Sequence, residues 1–284
     1  MSNYIVYTDS SCDLPHEQLE KMKVRFSSLT FRLNDNLKVD SDLSSKAFYD
    51  ELRAGSIAKT SAVNSQTFLE GFESILEQGY DILYLGMSSG LSTTYNSACI
   101  AAKYLSDKYP CRKIITVDTL STSAGLGLIV DYISRKRIEG ATIDEAARYT
   151  EDIKTKICHI FTVDDLSYLK RGGRISPATA TIGSMLGIKP ILHVNEQGKL
   201  VAMGKVRGRH SAILALAKNY EDNCSDKNEI IYISHADCQD DADSLSKAIN
   251  EYNPASKISI TNIGPVIGAH SGPGTLAIFF VGTR

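Results

Sequence analysis

The first half of the chain alternates short apolar runs of strand length with longer segments of helical periodicity, and this alternation constrains the fold more than any other feature. Tyr4-Ile5-Val6-Tyr7, Ile82-Leu83-Tyr84-Leu85 and Ile114-Ile115-Thr116-Val117 read as strands. Between the last two, Tyr95, Ala98, Cys99, Ala102 and Leu105 share one face of a helix. Strand, loop, helix and strand in repetition imply crossover connections, hence a mainly parallel sheet with helices on both faces. Pro15 is suited to open a helix through Met22, and another helix runs from about Ser121 to Arg137. Thr142-Ile143-Asp144-Glu145 starts a further helix with a capping-box pattern. Val24 to Leu33 and Leu37 to Val39 flank Asn34-Asp35-Asn36 and read as a hairpin.

The second half has a different rhythm. Ile188 to Val194 and Lys199 to Val206 are strands joined by Asn195-Glu196-Gln197-Gly198, an antiparallel hairpin. Helices near Ser211–Tyr220 and Asp241–Tyr252 enclose the strand Ile230–Ile233. Ile258 to Ile263 and Thr275 to Val281 look like strands around a glycine-rich loop. The expected fold is therefore α/β with two domains. Residues 1–157 carry the parallel sheet, and residues 158–284 form a mixed α/β domain with antiparallel strands.

Composition narrows the function classes. At 284 residues, 43% of them hydrophobic, the chain can build a sizeable core. A net charge of -2 gives no reason to expect a nucleic acid or an anionic membrane as a standing partner. The densest basic stretch, Ser134-Arg135-Lys136-Arg137, ends a helical pattern and reads as a solvated face. The first residues lead into a strand instead of a signal peptide, and no apolar run approaches the roughly 18–20 residues that span a bilayer. The six scattered cysteines form no CxxC pair, so reduced thiols in a cytoplasm are expected.

Ser88-Ser89-Gly90-Leu91-Ser92-Thr93-Thr94-Tyr95 is the most informative motif. It follows a strand and opens a helix, where unpaired backbone N–H groups favour an anion. That corner of an open α/β sheet is also where ligands bind. Ser92 alone could be a simple cap, but so many hydroxyls exceed what capping needs. Lys59-Thr60-Ser61 is a second hydroxyl pair before a helix, with capping again the plain alternative. The segment from Gly264 to Thr275 holds His270 among glycines and prolines, which suggests an unusual backbone around a histidine whose titration suits an acidic ligand. Lys170-Arg171-Gly172-Gly173-Arg174 and Lys205-Val206-Arg207-Gly208-Arg209 are compact basic turns whose arginine forks could meet carboxylate or phosphate. Phosphate-loop, dinucleotide and nucleophile-elbow motifs are missing. His235-Ala236-Asp237-Cys238 lacks the second ligand pair of a metal site.

Taken together these motifs resemble the DegV family, the fatty-acid-binding subunits of bacterial fatty acid kinase systems. The resemblance spans essentially the whole chain. It rests on Thr8-Asp9-Ser10-Ser11, Lys59-Thr60-Ser61, Ser88 to Ser92, Val117-Asp118-Thr119, Lys170 to Ser176, Val206-Arg207-Gly208 and Ala269 to Thr275, in that order. It implies a carrier that buries a long-chain fatty acid and holds the carboxylate on Thr60, Ser61, Ser92 and His270, with Arg174 and Arg207 as head-group or partner contacts. It implies no cofactor and no metal. A separate acyl kinase with ATP would phosphorylate the carboxylate, and lipid exchange would involve transient membrane contact. The chain departs from the family's usual Lys-Thr-Ser-Gln-Pro-Ser at Ala62-Val63-Asn64, and from Ser-Gly-Thr at Thr93. Two rivals use the same parts: a serine-dependent acyl hydrolase with Ser92 as nucleophile and His270 as base, and a carrier of a small phosphorylated anion.

Overall fold

The computed structural model describes residues 3–34, 36–39, 45–176, 187–254 and 256–284. The first half runs β1 (Tyr4–Asp9), α1 (His16–Lys21), β2 (Arg25–Ser27), β3 (Thr30–Leu33), β4 (Asn36–Val39), α2 (Ser45–Arg53), β5 (Ala58–Ser61), α3 (Ser65–Glu77), β6 (Asp81–Gly86), α4 (Thr94–Lys108), β7 (Ile114–Asp118), α5 (Ala124–Ile138) and α6 (Ile143–Ile153). There follow β8 (Ile157–Thr162), α7 (Ser167–Arg171), β9 (Ile188–Val194), β10 (Leu200–Arg207), α8 (Arg209–Asn223), β11 (Ile230–His235), α9 (Gln239–Tyr252), β12 (Lys257–Asn262), α10 (Pro265–Ser271) and β13 (Leu276–Val281).

The first sheet is parallel throughout, in the order β2-β1-β6-β7, with Ile5 opposite Ile82 and Leu83 opposite Ile115. Side chains alternate across it, as the two-residue strand period requires. Val6, Leu83, Leu85 and Val117 pack towards α5 and α6, while Tyr7, Ile82 and Tyr84 pack towards α3 and α4. The expected parallel sheet with helices on both faces is therefore present. The capping box forms too: Thr142 Oγ1 accepts from Glu145 N, and the Glu145 carboxylate accepts from Thr142 N at 2.8 Å.

The segment Val24–Leu33 is not one strand. Arg25–Ser27 joins the parallel sheet beside β1, held there by a 2.8 Å bond between the hydroxyls of Tyr7 and Ser27. The chain then turns, and Ser10 Oγ accepts from Leu29 N at 3.0 Å. Only β3 pairs with β4, in a small antiparallel sheet of order β4-β3-β5. Arg137 also departs from the solvated face expected of its stretch: it is buried and donates to the backbone oxygens of Met22 and Lys23, which end α1.

The six-stranded sheet has the order β10-β9-β8-β13-β11-β12, antiparallel except for the β11–β12 pair. The β9–β10 hairpin turns as expected, with the Asn195 side chain accepting from Gln197 N and Lys199 N and Gly198 at φ 69°. The glycine-rich segment after β12 is a correction: most of it is helix α10 and not loop. Pro265 sits at its first turn, where its fixed φ suits a helix. Gly268 is needed because a Cβ there would stand 2.3 Å from Tyr49 Oη, which donates to Ile263 O at 2.8 Å. The loop proper is Gly272-Pro273-Gly274, with positive φ at both glycines.

Helix α5 is apolar on nearly every side, so it demands cover all round. It lies between the parallel sheet and the six-stranded sheet, with Leu126, Leu128, Ile129, Val130 and Ile133 all buried. Each such side chain contributes roughly 1.5–3 kcal/mol on burial. Gly125 and Gly127 let the helix approach closely: a Cβ at Gly125 would stand 2.2 Å from His159 Nε2, and one at Gly127 would stand 2.8 Å from Cys12 O.

Candidate ligand-binding site

Strands β8 and β13 lie side by side, with Phe161 opposite Ala277 and His159 opposite Phe279. Alternation sends Leu276, Ile278 and Phe280 into a core on one side of the sheet. On the other side Phe161, Ala277 and Phe279 floor a cavity of about 500 Å³. Its walls are apolar too, with Met87, Leu91 and Leu169 from the first-half corner and α7, and Val266 and Ile267 from α10. From Thr275 to Phe279 the floor extends about 14 Å, at the rise of an antiparallel strand. This volume lies in the range of small-ligand sites, roughly 300–1,000 Å³.

One end of the cavity gathers the polar groups singled out in the sequence. Thr60 comes from β5 and His270 from α10, and Thr60 Oγ1 lies 2.7 Å from His270 Nε2. Ser92, Thr93 and Arg174 line the same cavity. Ser92 Oγ lies 2.9 Å from Thr94 Oγ1 and accepts from Thr94 N at 3.2 Å, so the hydroxyl both braces the start of α4 and borders the cavity. Arg174 is fixed by donation from Nε to Leu91 O at 3.2 Å and from Nη1 to Gly172 O. Burial lowers its pKa. His270 is pushed down to about 4 by burial, then by the charges of Arg174 and Arg171, so the imidazole is neutral near pH 7 and not the ready cation its type suggested. Its Nδ1 is buried without a partner among the described residues.

Two expected site residues lie elsewhere. Ser61 is exposed: on a strand it points opposite to Thr60, so only one of the pair can face the cavity. Neither residue caps α3, because Asn64 does so by accepting from Thr67 N at 2.9 Å. Arg207 ends β10 exposed to solvent and does not line the cavity.

The corner carrying Ser92 is held by groups that never touch the cavity's polar end. Asp9 is fully buried at the end of β1 and accepts from Tyr84 OH at 2.9 Å, Met87 N at 3.0 Å, and the backbone and hydroxyl of Ser11. Burial raises its pKa against the pull of those donors. Ser88 Oγ donates to Gly198 O at 2.8 Å, tying the corner to the β9–β10 turn. Gly90 is required beside it, since a Cβ would stand 2.8 Å from Gln197 O. Thr119 Oγ1 donates to Gly86 O at 2.7 Å, and Asp118 Oδ1 accepts from Ser89 N.

At the far end of the floor stand His159 and Thr122. His159 Nδ1 lies 2.9 Å from Ile157 O and 3.3 Å from Arg284 Nη2. Burial, reinforced by the Arg284 charge, holds this imidazole well below its ordinary pKa. Its Nε2 and the hydroxyl of Thr122 are buried without hydrogen-bond partners among the described residues.

The family model for DegV, described as a family of uncharacterised proteins, matches residues 4–283. The chain belongs to the DegV family. It is 44% identical to a DegV domain-containing protein of Clostridium perfringens over 99% of this chain and 98% of that protein. Among solved structures it resembles a fatty acid binding DegV family protein from Streptococcus agalactiae, with 28% identity, a TM-score of 0.88 and complete coverage of both chains. It also resembles DegV, a fatty acid binding protein from Bacillus subtilis, with 27% identity and a TM-score of 0.85 over 99% of this chain and 100% of that one.

The departures of this DegV chain from the usual motifs have visible roles. Ala62 lines the cavity, Val63 is buried and Asn64 caps α3, while Thr93 adds a hydroxyl beside Ser92. Sequence reasoning missed His159 and Thr122 altogether, and it saw Asp9 and Ser88 only as parts of motifs. Among the described residues no three His, Cys, Asp or Glu side chains cluster as a metal site, and His235 Nδ1 instead accepts from Cys238 N at 3.2 Å. No described helix is long and apolar enough to cross a membrane.

Proposed function

We propose that this chain is a fatty-acid carrier that buries the acyl chain along the β8–β13 floor and holds its carboxylate at Thr60, Ser92 and His270, with Arg174 close by. The observation that carries this reading is an apolar cavity ending on a hydroxyl, imidazole and guanidinium set, in a family with fatty-acid-binding members. Burial of the tail contributes about 0.8 kcal/mol per methylene, so a long chain supplies on the order of 10 kcal/mol before association costs. A bare buried carboxylate would oppose that gain. Charge-assisted hydrogen bonds, each worth roughly 1.5–3 kcal/mol, offset the cost. The tail therefore supplies affinity, and the polar end supplies orientation.

A carrier that fixes one end of its ligand is suited to present that end. The reading extends to a separate acyl kinase that phosphorylates the carboxylate with ATP, with the exposed Arg207 as a contact for that partner. Division of the chain near residue 157 into a sheet that supplies the hydroxyl corner and a sheet that supplies the floor belongs to the same proposal.

The hydrolase reading has less support. Ser92 Oγ is engaged with Thr94 and His270 Nε2 with Thr60, no carboxylate among the described residues orients His270 Nδ1, and an imidazole held to about 4 is a poor general base near neutrality. Mass spectrometry under native and then denaturing conditions tests the carrier. A noncovalent fatty acid near one per chain is expected. A covalent acyl adduct or a phosphate ester would overturn it. Adding a cognate acyl kinase and ATP to the loaded protein should yield acyl phosphate, and its absence would overturn the presentation step.

A further inference from the structure

Strand β13 presents large side chains to the core behind it and an uneven row to the cavity in front. Behind stand Leu276, Ile278 and Phe280, all buried. In front the row is Thr275, Ala277 and Phe279, so alanine holds the middle place. Alanine is not favoured in strands, where β-branched and aromatic side chains pack better, and protein interiors are filled to near crystal density. A methyl group between larger neighbours in an inner strand therefore leaves a volume for something else to fill. Phe161, directly opposite on β8, does not fill it, since Ala277, Phe161 and Phe279 all border the cavity. Strand β13 lies between β8 and β11 with the α8 and α9 core behind it, so the 5% of its surface that Ala277 keeps exposed opens on the cavity side.

Position along the strand gives this residue its meaning. Thr275 marks the carboxylate end: its Oγ1 donates at 2.9 Å to the backbone oxygen of Ser271, the neighbour of His270. Ala277 lies about 7 Å further along and Phe279 about 14 Å, at the rise of an antiparallel strand. Phe279 is held at the far end, its ring edge-on to His159 and so close to Gly125 that a Cβ there would stand 2.9 Å from Phe279 Cδ1. The acyl chains of one bilayer leaflet span about 15 Å, half of a hydrocarbon core of roughly 30 Å. A chain of that length with its carboxylate at Thr60 and His270 has to cross Ala277, whereas one half as long does not.

We propose that Ala277 sets the chain length this carrier accepts: the acyl tail passes over its methyl group, and a larger side chain at this position closes the cavity half-way along. This rests on the carrier reading and narrows its ligand to acids long enough to reach Phe279. Each methylene buried beyond Ala277 tightens binding about fourfold, so four of them together are worth more than about a hundredfold.

The test is a titration of the delipidated full chain with the even-numbered saturated acids from octanoic to stearic, in wild type, Ala277→Val and Ala277→Leu, beside urea unfolding of each unliganded protein. In wild type, affinity should climb with length through palmitic acid. In Ala277→Leu, octanoic acid should bind within about threefold of wild type, while palmitic acid binds at least about a hundredfold more weakly. Ala277→Val should fall between the two. The urea midpoint of Ala277→Leu should not drop, because the added carbons enter empty space and not a packed core. A lowered midpoint, or failure to fold, would mean that Ala277 faces packed atoms, and the proposal would be wrong. Length profiles that coincide in all three proteins would take the tail off Ala277 and leave the carrier reading standing. Equal weakening of octanoic and palmitic acids would mean a disturbed head group instead of a blocked tail, which also overturns the assignment. Failure of every acid to bind wild type would overturn the carrier reading itself.

Discussion

Replacing Thr60 by valine keeps a β-branched side chain in β5 and removes the hydroxyl that stands 2.7 Å from His270 Nε2. In the unliganded chain the loss leaves both imidazole nitrogens without a partner among the described residues, since Nδ1 already has none there. Stability should fall by about 1–3 kcal/mol, the cost of an unsatisfied buried polar group. In the loaded chain the carboxylate loses a charge-assisted bond worth roughly 1.5–3 kcal/mol, which corresponds to a ten- to hundredfold rise in Kd. Calorimetric titration with palmitic acid and with the matching fatty alcohol separates that effect from damage to the tail cavity. The preference for acid over alcohol should shrink by the factor above, while alcohol affinity changes less than about threefold. Unchanged acid affinity would remove Thr60 from the carboxylate end. Equal weakening of acid and alcohol would mean that the substitution had disturbed the cavity and not the head group.

The folded pKa of His270, about 4, lies below its ordinary value of 6.5, so the unfolded chain takes up the proton first. Delipidated protein should keep its full stability above about pH 7 and lose up to roughly 3 kcal/mol by pH 4. Urea midpoints across that range should fall more steeply for wild type than for His270→Gln, and equal slopes would contradict the assignment. Gly268→Ala should cost about 1–3 kcal/mol in urea unfolding, because its Cβ meets Tyr49 Oη. Adding Tyr49→Phe should return part of that loss, and no return would place the strain elsewhere. Arg207→Ala should leave fatty-acid affinity within about threefold while kinase-dependent acyl phosphate formation falls further. A collapse of binding would place Arg207 in the lipid site, and no change in either would make it a solvated arginine.

Where local pattern and tertiary environment agree, the sequence was readable. The apolar runs at Ile82 and Ile114 are parallel strands, the first buried and the second half-buried at the sheet edge, and Thr142 and Glu145 cap α6 as their spacing demands. The reading failed where a contact distant in sequence decides the local structure. Glycine at position 268 looks like a loop residue until Tyr49, far away in sequence, is seen to occupy the space of its side chain. Lys59-Thr60-Ser61 contains little apolar character and precedes a helix, so it passes equally for a cap, and only pairing with β3 makes it a strand. That pairing also sets the phase that brings Thr60 inward and sends Ser61 outward. His159 was hidden for a related reason. Every residue of Ile157–Thr162 is buried, so burial does not reveal which side chains face the cavity and which face the α8 and α9 core.

Helix α5 touches both large sheets, and this has a calorimetric consequence. The helix precedes the midpoint of the chain, yet one flank is covered by Tyr232 and Phe279 from the second half. Cut near residue 157, the first half would expose that flank, and the second would lose the cover over Phe161 and Phe279. The two sheets should therefore melt in one endotherm, with van't Hoff and calorimetric enthalpies in agreement. A bound acyl chain, seated against the same surfaces, should move that single peak upward as a whole, without splitting it.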